Sequence, residues 1–74
     1  MNAVLNDIFR AIHEGRWLQI EYRNKEEQIT KYWIGIQNLN VRNRTLSADG
    51  LHLGKMTITR LDWIKIDSIL SSRI

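Results

Sequence analysis

Between Glu14 and Leu18 the repeat of apolar residues changes from three or four to two, and that switch governs what this chain can fold into. Before it, Val4, Leu5, Ile8, Phe9 and Ile12 fall on one stripe of a helix. The spacing predicts a helix over Ala3–Glu14, with Asn2 as N-cap and Gly15 as the left-handed residue that ends it. Twelve residues make a marginal helix in water, so the stripe must dock on something. After the switch, Leu18, Ile20 and Tyr22 point one way, and Trp17, Gln19, Glu21 and Arg23 point the other. That is the pattern of a half-buried strand.

The two-residue repeat continues. A polar turn over Asn24–Glu27 leads to a second strand, Thr30–Gln37, with Tyr32, Ile34 and Ile36 on one face and Lys31, Trp33 and Gly35 on the other. Asn38–Asn43 is rich in turn formers, with Asn43 suited to a positive φ. Arg44–Ala48 reads as a short third strand, Asp49-Gly50 as a turn, and Lys55–Leu61 as a fourth strand, with Gly54 at a bulge or loop exit. Ile64, Ile66 and Ile69-Leu70 form a last strand or a short turn of helix. The expected fold is mainly β with one N-terminal α-helix: four or five short strands in a small, closed or nearly closed barrel, the helix plugging one open end. Residues 1–74 make one domain, the helix at about 3–14 and the barrel at about 17–70.

Composition narrows the functional classes. A 74-residue chain with 43% hydrophobic residues supports one modest core but no deep, walled active site. No Cys is present, so there is neither a disulfide framework nor a thiolate metal site, which fits a reducing cytoplasm. No apolar run is long enough to span a membrane, and the N-terminus carries no signal peptide. The hydroxyls available as nucleophiles are Ser47, Ser68, Ser71 and Ser72, none in a nucleophile-elbow turn, and the last two read as a frayed end. His13 suits a capping role in the last helical turn, and His52 reads as a loop residue. Two His without Cys fall short of a metal site, and four isolated glycines make no phosphate loop. No enzyme, metal or cofactor is expected.

Two sets of side chains remain. Eleven Lys and Arg oppose eight Asp and Glu, and Arg42, Arg44, Lys55 and Arg60 face only Asp49 between Asn40 and Arg60. Such a surface attracts phosphates, though it is also ordinary for a solvated sheet face. Trp17, Trp33 and Trp63 fall opposite the inferred core face. They form either a second apolar layer beneath the helix or an exposed platform for bases or a partner's apolar anchor.

Ala11-Ile12-His13-Glu14-Gly15-Arg16, then Leu18-Gln19-Ile20-Glu21-Tyr22, resembles the helix end and first strand of the WYL domain, a bacterial sensor module. Ile36-Gln37-Asn38-Leu39, Arg44-Thr45-Leu46-Ser47-Ala48 and Thr57-Ile58-Thr59-Arg60-Leu61-Asp62-Trp63-Ile64 are similar to its later motifs, so the resemblance covers about Ile8 to Ile69. It implies an SH3/Sm-like barrel that senses a nucleotide or single-stranded nucleic acid through basic residues, within a transcription regulator or a DNA-processing protein. Arg60 keeps both its charge and its family position, and Arg44, Arg42 and Lys55 complete the expected binding set. Arg44 and Thr45 replace the Trp and Tyr of the family name, and Thr57 and Trp63 stand where the family has arginines. These departures support the alternative, a docking domain that has lost its ligand site, with Trp63, Trp33 and Trp17 as contacts and weak self-association as a consequence. The initial Met and the end at Arg73-Ile74 suggest the N-terminal domain of a longer protein, a stand-alone regulator being the other reading.

Overall fold

Gly15 ends the helix as expected. In the computed structural model, which describes residues 3–74, α1 spans Ala3–Glu14. Gly15 adopts φ 65°. Its N–H donates to the Ile12 carbonyl at 3.3 Å, and the Arg16 N–H donates to the Ala11 carbonyl at 2.8 Å. These are the paired bonds of a Schellman motif. Asn2, the expected N-cap, lies outside the described residues. Ile8 and Ala11 are the buried members of the helical stripe, and Val4 and Leu5 pack beside them. Phe9 and Ile12 remain largely exposed.

Five strands follow: β1 (Leu18–Arg23), β2 (Ile29–Asn40), β3 (Thr45–His52), β4 (Thr57–Lys65) and β5 (Ile69–Arg73). They form one antiparallel sheet in the order β4-β3-β2-β1-β5. The edge strands β4 and β5 are consecutive in the chain, joined by one turn of 3₁₀ helix over Ile66–Ser68. The helix packs against β5 and β1. Alternation in β1 and β2 holds as read, with Leu18 opposite Ile34 and Ile20 opposite Tyr32 on the inner face. Leu46, Ala48, Leu61, Ile64, Ile66 and Ile69 complete the core around Ile8. No helix among the described residues is long and apolar enough to cross a membrane.

Several sequence expectations need correction. β2 runs on to Asn40, so Asn38–Asn43 is not a turn; the reversal is confined to residues 41–44. Arg44 belongs to that turn rather than to β3, and it carries the positive φ assigned to Asn43. Asp49-Gly50 is not a turn either: both residues pair in mid-strand, Asp49 with Gly35 and Arg60, Gly50 with Ile34 and Thr59. Gly50 is there for packing, since a Cβ would come 2.9 Å from Leu61 Cδ1 and 3.2 Å from the Tyr32 ring. Lys55 sits in the β3–β4 turn, and β4 starts at Thr57 and extends past Leu61 to Lys65. His52 ends β3, its ring edge-on to Tyr32 at 5.5 Å and its Nδ1 accepting the Lys55 N–H at 3.0 Å. Ser71 and Ser72 are not frayed. They pair with β1, their hydroxyls donating to Glu21 at 2.8 Å and Asp7 at 2.6 Å.

The three hairpins share a device. Each places a non-glycine residue at positive φ in its turn: Glu27 at 65°, Arg44 at 55° and Met56 at 55°. A side-chain acceptor near the start of each turn holds it: Asn24 Oδ1 takes the Glu26 and Gln28 N–H groups, Asn40 Oδ1 takes that of Asn43, and His52 Nδ1 that of Lys55.

Alternation fails at the centre of β3, where Leu46, Ser47 and Ala48 are all buried. Register slips on both sides of Ser47, between Ile36 and Asn38 on β2 and between Leu61 and Ile64 on β4. Paired bulges bend three strands at one point. On β4, Asp62 and Trp63 together stand opposite the single Ser47, and Trp63 has φ 49°. Its backbone N–H donates to the Ser47 hydroxyl at 3.3 Å, which gives the one buried polar side chain among the described residues a partner.

Candidate ligand cleft

The bulge that bends β4 also decides where Trp63 goes. A positive φ at a bulky residue is an uncommon, strained conformation. Here it turns the indole away from the core, leaving it 52% exposed. All three tryptophans are exposed rather than layered beneath the helix. Trp17 and Trp33 share the outer face of the sheet, ring centroids 5.7 Å apart. Trp63 stands elsewhere.

Around Trp63, a cleft of about 330 Å³ lies between the end of β1 with its following turn and the end of β4. Tyr22, Arg23, Asn24 and Lys25 form one wall; Asp62, Trp63, Ile64 and Lys65 form the other, with Ser68 at its end. Three cations and two aromatic side chains thus border one opening. Arg23 is loosely held by Glu27 at 3.6 Å; among the described residues no salt bridge engages Lys25 or Lys65, although Lys65 also acts through space on the Asp67 carboxyl. The one acid, Asp62, already pairs with Arg60 at 3.0 Å. The cleft is therefore net positive, and its cations are open to an incoming anion.

The basic residues expected from sequence do not converge. Arg42 lies in the β2–β3 turn and Lys55 in the β3–β4 turn, at opposite ends of β3. Arg60 is on the outer face of β4, opposite Asp49. Arg44 grips Asp67: its Nε donates to both carboxylate oxygens at 3.1 and 3.3 Å, and an Nη donates to Oδ1 at 2.8 Å. That bond and the attraction behind it hold the Asp67 carboxyl below the usual carboxylate range and push the Arg44 guanidinium upward. Arg23, Lys25 and Lys65 were not singled out from sequence. The available signal was modest: two basic residues flanking Asn24, and one directly after Ile64.

His13, in the last turn of α1, and His52, at the end of β3, lie on different elements, and the Ser71 and Ser72 hydroxyls are committed to carboxylates. Among the described residues no group of three or more His, Cys, Asp or Glu could hold a metal ion. Compared with protein-family models, curated proteins and solved structures, the chain matches none.

Proposed function

We propose that this domain is a non-catalytic cytoplasmic module of the SH3/Sm-like barrel class, akin to the WYL domain, that binds a nucleotide or single-stranded nucleic acid in the Trp63 cleft. The observation that carries the reading is the Trp63 indole, held outward at a bulge between Lys25 and Arg23 on one side and Lys65 on the other. An indole face stacks on any base, and ammonium or guanidinium groups beside it meet the phosphates on either side. Support for the barrel class comes from the strand order together with the 3₁₀ link, which makes the two edge strands neighbours along the chain. The bulges at Ser47 are the kind of feature that curves a sheet toward such a barrel.

Fluorescence anisotropy of a labelled oligothymidylate, titrated at several salt concentrations, tests the proposal. Three phosphate contacts give a slope of about −2 in log affinity against log salt. Trp63→Ala lowers affinity by roughly tenfold, the loss of one stacked base. Lys25→Ala and Lys65→Ala each make the slope shallower, while Arg42→Ala and Lys55→Ala, outside the cleft, leave binding unchanged. Absence of binding at low salt and high micromolar protein would sink the reading.

A further inference from the structure

A second cleft, of about 290 Å³ and lined by none of the residues of the first, opens between the end of α1 and the outer face of β2 and β3. Its chemistry is opposite to that of the first. One wall is the Trp17 indole, seated over Gly35: a Cβ there would come 3.1 Å from the ring and would shift it from this seat. Trp33 backs the same indole at 5.7 Å. Across the opening lies Asp49, half-buried, its carboxylate fixed by the Gln37 amide N–H at 2.6 Å. Arg60 is the cross-strand neighbour of Asp49 but spends its guanidinium on Asp62. Asp49 therefore has no cationic partner among the described residues. The last residues of α1 and Gly15 line the side of the cleft nearest the helix. Arg16 on the rim is tied to Glu14 at 3.3 Å.

An aromatic face beside an oriented carboxylate that no cation pairs suits a soft organic cation. We infer that this cleft receives a basic side chain, ammonium or guanidinium, of a protein partner. A protein source fits because the cleft continues into an apolar row. Trp33, Leu51 and Ile58 stand opposite one another across three strands, with Ile58 74% exposed. A peptide anchored by its cation at Asp49 lays a neighbouring apolar side chain on that row. A free amine would leave it uncovered.

Amide proton–nitrogen spectra of the intact domain, titrated with N-acetyl-arginine amide, N-acetyl-lysine amide and the neutral N-acetyl-norleucine amide, test the assignment. The two cations should shift the Trp17 indole N–H and the Gly35 and Asp49 amides, and the neutral probe should not. Asp49→Asn, which keeps the shape and an acceptor for Gln37, should weaken the cations about tenfold with the melting temperature held. An Arg-Leu dipeptide, blocked at both ends, should bind several times more tightly than the single residue. Equal response to the neutral probe, unchanged affinity in Asp49→Asn, or no shift with any cation overturns the site. Equal affinity of dipeptide and single residue overturns the protein source. Oligonucleotide binding at Trp63 is read separately: it survives Asp49→Asn, so failure of either cleft leaves the other standing.

Discussion

The Arg44 guanidinium clasps the Asp67 carboxylate across 23 positions of sequence, tying the β2–β3 turn to the 3₁₀ link between the sheet's two edges. The backbone joins the same two segments, the Ile66 N–H donating to the Arg44 carbonyl at 2.9 Å. A residue expected from sequence to meet a ligand is thus occupied in holding the fold.

Arg44→Ala and Asp67→Asn should both lower the melting temperature at neutral pH without changing oligonucleotide affinity. The pH dependence has a definite sign. Because Arg44 depresses the Asp67 carboxyl in the folded state, the pair stabilises above the ordinary carboxylate range, and that contribution disappears as pH falls through the folded value. Melts of wild type and Asp67→Asn should therefore converge in acid. A gap that persists at low pH would show that the pair acts through something other than charge.

Glu27 and Met56 hold left-handed backbone conformations that a Cβ disfavours. Glu27→Gly and Met56→Gly should each stabilise the domain by about 0.5–1 kcal/mol, after allowing for the greater freedom of an unfolded glycine. Urea unfolding checks this. Arg44→Gly is the contrasting case, since relief of the backbone comes with loss of the Asp67 clasp.

The two central glycines predict different outcomes. Gly50→Ala pushes a methyl into Leu61 and Tyr32 in a buried position and should cost about 1–3 kcal/mol. Gly35→Ala meets the exposed indole of Trp17, which can swing away. Its signature is a changed near-ultraviolet circular dichroism spectrum and weaker cation binding, with only a small shift in melting temperature.

Ser47→Ala removes the acceptor for the Trp63 N–H and should cost about 1 kcal/mol by thermal melting. Trp63→Arg should remain folded, because the side chain is half in solvent and the backbone strain is already present. It should raise affinity for inorganic phosphate and make oligonucleotide binding indifferent to whether bases are present, since a bidentate donor replaces a stacking surface. Loss of the folded state in Trp63→Arg would show the indole to be a packing residue.

What was legible in the sequence was local. The helix, its stop at Gly15 and the inward sets Leu18–Ile20 and Tyr32–Ile34 follow from spacing alone, because each is decided within a few residues. Asp49-Gly50 was misread because glycine serves a turn and a tight strand crossing equally well, and only Leu61 and Tyr32 distinguish the two. The candidate cleft was hidden for the same reason. Lys25 and Lys65 are forty positions apart, and Trp63 joins them in the cleft lining at a bulge whose hydrogen-bond partner, the buried Ser47 hydroxyl, lies on another strand. The expected cations failed to gather because the two hairpin turns bearing Arg42 and Lys55 lie at opposite ends of β3.

β5 carries a consequence for how the protein is made. Gln19 pairs with Arg73, Ser72 reaches Asp7, and Ile69 belongs to the core around Ile8. A nascent chain that has emerged only as far as Ser68 offers a helix with half its dock missing and a β1 edge whose hydrogen-bonding groups are bare. Helix and hairpins can form as the ribosome releases them, but the sheet cannot settle until the residues through Arg73 are free to lie down beside β1. During that interval the bare edge invites pairing with other chains, so the demand on chaperones falls in the last moments of this domain's synthesis.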